Sequence, residues 1–347
     1  MIERRPPFDL AELQFPPFRA RLPWLTGDLQ TIRNTAVGGL RSLASELDRL
    51  AAEKLTIDLS GGDKLVATLN RPATAADRPL AILIHGLTGC EDSPYVRVSA
   101  LGLLAKGFPV LRLNLRGAGL SQPLCRGLYH AGRTEDLAAV MTALPDGMAR
   151  HGVVAVGYSL GGNMLLKYLG ERGADAGLSA AVTVSAPIDL SATERCMARR
   201  RNLPYHRYVL SRMQREALAP PSDLSEDQKT RVRRASSVYE FDDWFVAPRN
   251  GFGTANRYYE ICSSKAYLAG VRVPTLIIHG SDDPWIPAEM YRVPDWRNLP
   301  FLRLLMAPGG GHVGFHGTGD RMPWHDRCLQ LFFDAVQTSK RAASTAA

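Results

Sequence analysis

The chain has 347 residues and a mass of 38.0 kDa, is 45% hydrophobic and 22% charged, and carries a formal net charge of +8. Disordered, collagen-like and coiled-coil classes are excluded, and the apolar content suffices for a large buried core. The excess of basic residues comes without zinc-finger spacing, an RNA-binding aromatic signature or a basic helix, so no nucleic-acid partner is expected.

Residues 1–35 are rich in Pro, Arg and aromatics (Phe8, Phe15, Phe18, Trp24) and read as an irregular arm packed on a body. MIERRPPFDL has charge but no apolar core, so no signal peptide is expected. Leu40, Leu43, Leu47 and Leu50 fall on one helical stripe. LTIDL (55–59) and LVATL (65–69) flank Gly61-Gly62 and predict a hairpin.

The rhythm then changes. LAILI (80–84), VLRLN (110–114), VVAV (153–156), AAVTVS (180–185), TLIIH (275–279) and FLRLLM (301–306) are short apolar runs. Runs without alternation suit parallel strands buried on both faces. Ser93 as N-cap with Pro94 behind it starts a helix that Gly107 stops, with Val98, Leu101, Leu104 and Ala105 as its inner stripe. Thr134, Glu135 and Asp136 open another, running to about Leu144. Strand, helix, strand, helix predicts an α/β fold with a mostly parallel, doubly wound sheet.

The interval from Ser185 to Thr275 is far longer than a plain crossover and reads as a helical cap insertion. Its arginines (Arg199, Arg200, Arg201, Arg231, Arg233, Arg234) form a solvated face or a weak attraction to an anionic membrane surface. Leu203, Tyr205, Tyr208, Val209, Leu210 and Met213 form the cap's own core or cover an acyl chain. The division expected is an arm (1–50), a core (51–186 and 271–337), a cap (187–270) and a disordered tail (338–347). Five scattered cysteines without CxxC read as reduced thiols, and no run reaches the ~20 apolar residues of a membrane span. A cytoplasmic location is therefore expected.

The chemistry centres on Gly157-Tyr158-Ser159-Leu160-Gly161. VVAV precedes it and GGNMLLKYLGER follows, so Ser159 sits at a strand-to-helix turn, the arrangement of a nucleophile elbow. A serine hydroxyl needs a base, and the base a carboxylate, in the chain order Ser, Asp, His. His312, behind Gly309-Gly310-Gly311, supplies the base. Asp283, in the loop after TLIIHG, is preferred as the acid over its neighbour Asp282, with Asp189 as the outside candidate. Oxyanion donors are expected from the N–H groups of Leu160 and Leu87, the latter in the loop His85-Gly86-Leu87-Thr88-Gly89. His85, Gly86, Tyr158 and His130 are candidates to line the substrate site. His316 lacks the spacing of a helical zinc motif, and the chemistry requires neither metal nor cofactor.

These stretches resemble the YheT-like, embryogenesis-associated branch of the α/β-hydrolase superfamily. Trp24-Leu25 with Leu29-Gln30-Thr31 is similar to its N-terminal WL…HLQT motif, with Asp28 standing where His is expected. HGLTG (85–89), NLRGAGLS (114–121), YHAGRTEDL (129–137), GYSLGGNM (157–164), EFDDWFVAPRNGF (240–252), Asp283-Pro284 and GGHVGF (310–315) carry the rest. The resemblance implies a capped serine carboxylic-ester hydrolase acting on a small-molecule ester or lipid, and supports Asp283 as the acid. It leaves acyl length and alcohol open. The competing readings are a lyase or cofactor-free peroxidase on the same scaffold, and a lipid- or ligand-binding protein with a vestigial triad.

Overall fold

The computed structural model describes residues 9–36, 45–74, 76–145 and 147–346. Eight strands form one sheet in the order β1-β2-β4-β3-β5-β6-β7-β8. Its strands are β1 (Ala52–Asp58), β2 (Lys64–Asn70), β3 (Leu80–Ile84), β4 (Val110–Leu113), β5 (Val153–Tyr158), β6 (Ala180–Val184), β7 (Thr275–Gly280) and β8 (Leu302–Ala307). β1 and β2 are the predicted hairpin, and β2 joins the rest by an antiparallel ladder to β4. All later pairings are parallel.

The apolar runs are explained by burial on both faces. In β3, Leu80, Ile82 and Ile84 face one hydrophobic cluster while Ala81 and Leu83 face the other. The second face is covered by α2 (Pro94–Ala105), through Val96, Ala100 and Leu103, and by α9 (Trp324–Ala346), through Leu329, Phe332 and Phe333. The first is covered by α3 (Thr134–Thr142) and α4 (Leu160–Arg172).

Several local expectations are corrected. Ser93 precedes α2 but does not cap it; its hydroxyl accepts the Cys90 N–H at 3.0 Å instead. Ala105 is exposed, because the inward stripe of α2 is set by Val96, Ala100 and Leu103. The helix expected over 40–50 begins outside the described residues, and Ser45–Arg49 is a 3₁₀ turn that buries Leu47. The tail expected to be disordered from 338 is helical to Ala346, since an Ala-rich stretch free of Gly and Pro prolongs α9 at little cost.

Between β6 and β7, most of residues 190–270 are helical. They comprise α5 (Leu190–Met197), α6 (Leu203–Leu218), α7 (Glu226–Arg234), a helical stretch over 238–249 with a π turn at Asp242–Val246, and α8 (Ala255–Cys262). Ser225 and Gln228 form a full capping box on α7, which lets an otherwise very polar helix start cleanly. Val209, Leu210 and Met213 pack with Val232, Phe241 and Phe245 as a local core, whereas Leu203 and Tyr208 are exposed. Of the basic stretch, Arg201 pairs with Asp28 and Arg231 with Asp227. The arm crosses the body where Phe18 meets Phe315 and Trp324 edge-on, and continues into α1 (Gly27–Ala36). Among the described residues no helix is long and apolar enough to cross a membrane.

Candidate active site

The C-terminal ends of the parallel strands converge on one edge, the usual ligand edge of an open α/β sheet. β5 ends at Tyr158 and α4 begins at Leu160, so Ser159 makes the whole turn, with φ 49°. Gly161 permits that turn: a Cβ there would stand 2.4 Å from the His85 carbonyl oxygen. His312 Nε2 lies 2.9 Å from Ser159 Oγ, and His312 Nδ1 lies 3.0 Å from Asp283 Oδ2. Asp283 Oδ1 accepts the backbone N–H groups of Trp285 and Ile286 at 2.9 and 3.1 Å. The three groups that the sequence singled out therefore form one unbroken hydrogen-bonded chain.

Burial alone would raise the Asp283 carboxyl, but the facing His312, its hydrogen bond, and His279 with the Trp285 N–H hold it below its ordinary value. Asp283 thus stays ionised and keeps the proton of His312 on Nδ1, leaving Nε2 to accept from Ser159. Asp282 is exposed. Asp189 is committed elsewhere: it caps α5 through the Ala192 N–H and pairs with Lys265.

The predicted oxyanion donors stand out by what surrounds them. Among the described residues, the Leu87 and Leu160 N–H groups have no acceptor, while the N–H groups that flank Leu87 from Gly86 to Gly89, and that of Ser159, are engaged. Gly86 N–H donates to Tyr95 Oη, Thr88 N–H to Tyr129 Oη, Gly89 N–H to the Gly86 carbonyl and Ser159 N–H to the Val184 carbonyl. Gly86 lies against Ser159, where a Cβ would come within 2.9 Å of Ser159 Cβ.

The other substrate-lining candidates divide. His130 forms part of the wall of a cavity of about 580 Å³ that also touches Leu87 and Leu160. Burial, with Arg133 and Lys167 nearby, lowers its pKa to about 3, so it stays neutral. His85 and Tyr158 are corrected. His85 is fully buried, accepting the Leu115 N–H on Nε2 and donating from Nδ1 to the Gly86 carbonyl, so no atom is left for a substrate. The Tyr158 ring belongs to the opposite face of the sheet, where its hydroxyl donates to Ser99 at 2.6 Å. His316 bonds Arg33 at 2.6 Å, within the arm contact.

Sequence reasoning gave no role to four residues that shape this site. Trp285 stacks on the His312 ring at 4.3 Å and 21°. Thr31, from α1 of the arm, accepts the His312 N–H at 2.8 Å. Arg212 of α6 bonds Thr88 in the loop that bears Leu87, and Glu216 reaches that loop through Tyr129. Only Thr31 lay within a quoted motif. Among the described residues, the four non-glycine residues with positive φ are Thr88, Ser159, Ser185 and Val313. Ser185 Oγ accepts the Val313 N–H, so all four border this edge, where strain of this kind tends to collect.

The cavity wall is mixed, with Arg126, Arg249 and Asp223 beside Met213, Phe245 and Tyr258. Asp242 lines it from the π turn, accepts the Tyr259 hydroxyl at 2.7 Å, and is pushed by burial up to about 7. The folded chain keeps this proton up to about pH 7, whereas the unfolded chain loses it near 3.8, so the group lowers stability as pH rises between those values. Asp242→Asn is accordingly expected to melt close to the parent at about pH 4 and progressively above it toward pH 7, with the gain constant beyond. A melting difference independent of pH would show that no buried charge is involved.

A model of the alpha/beta hydrolase fold matches residues 79–317, more than half the chain and all of the strands from β3 to β8. The protein is a member of the alpha/beta hydrolase fold family. Within this family it belongs to the YheT-like branch: it is 34% identical to YheT of Escherichia coli (strain K12) over 269 residues, 75% of this chain and 78% of that protein. It is 28% identical to the monoacylglycerol lipase of Saccharomyces cerevisiae, over 75% of this chain and 60% of that longer protein. Among solved alpha/beta structures, the Pyrococcus furiosus esterase Pf2001 superposes with a TM-score of 0.54 at 18% identity, covering 92% of this chain and 98% of that one. At that identity the likeness speaks for the hydrolase fold alone.

Proposed function

We propose that this alpha/beta hydrolase cleaves carboxylic esters through an acyl-enzyme formed on Ser159, with His312 as base and Asp283 as its partner. The observation that carries the reading is the chain Asp283–His312–Ser159 beside two unengaged N–H groups. Ser159 attacks the ester carbonyl as His312 Nε2 takes its proton. Asp283 fixes the tautomer and stabilises the imidazolium. The N–H groups of Leu87 and Leu160 receive the oxyanion, aided by the N-terminus of α4. His312 then protonates the departing alcohol, and water releases the acid by the same steps in reverse. The step needs no metal or cofactor.

The substrate is an ester with a lipophilic acyl group. Met213, Phe245 and Tyr258 in the cavity wall support this, as does kinship with a yeast protein named monoacylglycerol lipase. The test is hydrolysis of p-nitrophenyl esters from acetate to palmitate. Turnover that peaks at a medium or long chain is expected. Turnover confined to acetate would remove the lipophilic assignment, and none from folded protein would remove the ester reading.

The arm has a part in this chemistry. Thr31 Oγ1 accepts the His312 N–H and donates to the Gly27 carbonyl, while Gln30 brackets the loop by accepting the His316 N–H and donating to its carbonyl. Thr31→Val keeps the shape but leaves the buried His312 N–H unpaired, a cost of about 1–3 kcal/mol. Ester turnover is expected to fall about tenfold, with a lower melting temperature. Unchanged kcat and melting would show that the arm does not hold the base loop.

A further inference from the structure

The loop that bears Leu87 is a strained turn. The Gly89 N–H donates to the Gly86 carbonyl at 3.1 Å, closing a β-turn in which Leu87 and Thr88 are the central residues. Thr88 has φ 56°. That position of a turn favours glycine, and a β-branched residue there is a real outlier. Strain of about 1–3 kcal/mol per residue persists only where surrounding contacts over-determine the conformation.

Every side chain found bonding Thr88 belongs to the cap helix α6 or is itself bonded to it. Arg212 donates from Nη2 to the Thr88 carbonyl at 2.7 Å and from Nε to Thr88 Oγ1 at 3.1 Å. The Thr88 N–H donates to Tyr129 Oη at 2.6 Å, and Tyr129 in turn donates to Glu216 Oε2 at 3.0 Å. Arg212 and Glu216 are one helical turn apart on α6 and so present one face to the loop. All three polar atoms of Thr88 are thereby held, and the peptide just before them carries the unengaged Leu87 N–H.

We propose that α6 completes the oxyanion hole: Arg212 directly, and Glu216 through Tyr129, hold Thr88 in its strained turn and so aim the Leu87 N–H at the reaction centre. This rests on the ester-hydrolase reading above. None of the three touches the reacting atoms in this scheme; they are positioning residues. The consequence is that one oxyanion donor exists in working form only while the cap sits on the loop, which couples chemistry to cap seating. Arg212 is suited to the task because its planar fork spans a carbonyl and a hydroxyl at once, which a lysine ammonium does not.

The experiment compares Arg212→Ala, Tyr129→Phe and the double variant Arg212→Ala with Thr88→Gly, using p-nitrophenyl esters and hydrogen exchange of the 85–90 backbone. Loss of one oxyanion donor costs about 10²–10³-fold, so partial misplacement is expected to lower kcat by about 10- to 10²-fold with KM nearly unchanged. Exchange over 85–90 is expected to quicken in both single variants. Glycine adopts φ 56° without strain, so adding Thr88→Gly to Arg212→Ala is expected to recover most of the lost kcat. A rise in KM alone, unaltered loop exchange, or a double variant no better than Arg212→Ala would each overturn the proposal. Should the parent protein hydrolyse no ester, the functional reading falls, while the exchange comparison still decides whether α6 holds the loop. Tyr129→Phe removes one oxygen and keeps the ring, so a folding failure of Arg212→Ala does not remove the test.

Discussion

Ser159→Ala is expected to lower ester turnover by on the order of 10⁶-fold, leaving the fold and the affinity for unreacted ester nearly intact. The hydroxyl is the atom that His312 Nε2 meets, at 2.9 Å, and a methyl group can neither attack a carbonyl nor give up a proton. Alanine is no more strained than serine at φ 49°, so the elbow itself has no reason to unfold. What survives in the variant is the pair of N–H donors and the binding cavity, which in serine hydrolases leave a residual rate of about 10³–10⁴ over water. The measurement is kcat on the best p-nitrophenyl ester beside a thermal melt of both proteins. Residual activity of even a few per cent would assign the nucleophile to another group and leave His312 without its substrate proton.

The fold was legible because its signal is local. Each of the five inner parallel strands, β3 to β7, appears in the sequence as a short apolar run without alternation, which is what burial on both faces demands, and the edge strand β8 carries the same signal though it is only half-buried. The elbow was legible for the same reason, since a strand, a turn and a helix follow one another within about twenty residues. His312 and Asp283 could be picked because loops after consecutive strands open on the same sheet edge. The contacts that hold these groups were not legible. Thr31 meets His312 across 281 positions, Arg212 meets Thr88 across 124, and Asp28 meets Tyr205 across 177. No periodicity encodes such partners; they depend on how the N-terminal stretch and the helices between β6 and β7 are laid over the sheet. Asp28 illustrates this. As a departure from the motif it carried no reading, yet it bonds Tyr205 and Arg201 among the helices between β6 and β7, and Tyr205 packs edge-on to Trp285, which stacks on His312. His85 and Tyr158 were misplaced for the opposite reason. Tyr158 adjoins Ser159, but in a strand successive side chains point to opposite faces, and His85, just past the end of β3, has both ring nitrogens bound to backbone groups; a neighbour in sequence is not a neighbour in the site.

Asp283→Asn is expected to lower kcat by about 10⁴-fold, whereas Asp282→Asn stays within a few-fold of the parent. The orientation of the new amide decides the outcome. At Asp283, Oδ1 is already bound by the N–H groups of Trp285 and Ile286, two donors that require an oxygen there. The amide nitrogen of asparagine is therefore forced to the other position, facing His312 Nδ1 at about the present 3.0 Å. A donor facing Nδ1 requires that nitrogen to accept, so the ring proton moves to Nε2. Ser159 then meets an N–H instead of a base, and the geometry is preserved while the function is inverted. The imidazolium formed during attack loses its counter-charge as well, in a place where Asp283 is shielded from solvent and its field is little screened. Asp282 has none of these ties and is exposed, so its substitution alters a solvated charge only. Equal sensitivity at both positions would mean that loop integrity, not the tautomer of His312, governs the rate. A reversed ranking would require the loop to turn in the working enzyme, bringing Asp282 to the imidazole at the expense of two buried backbone hydrogen bonds.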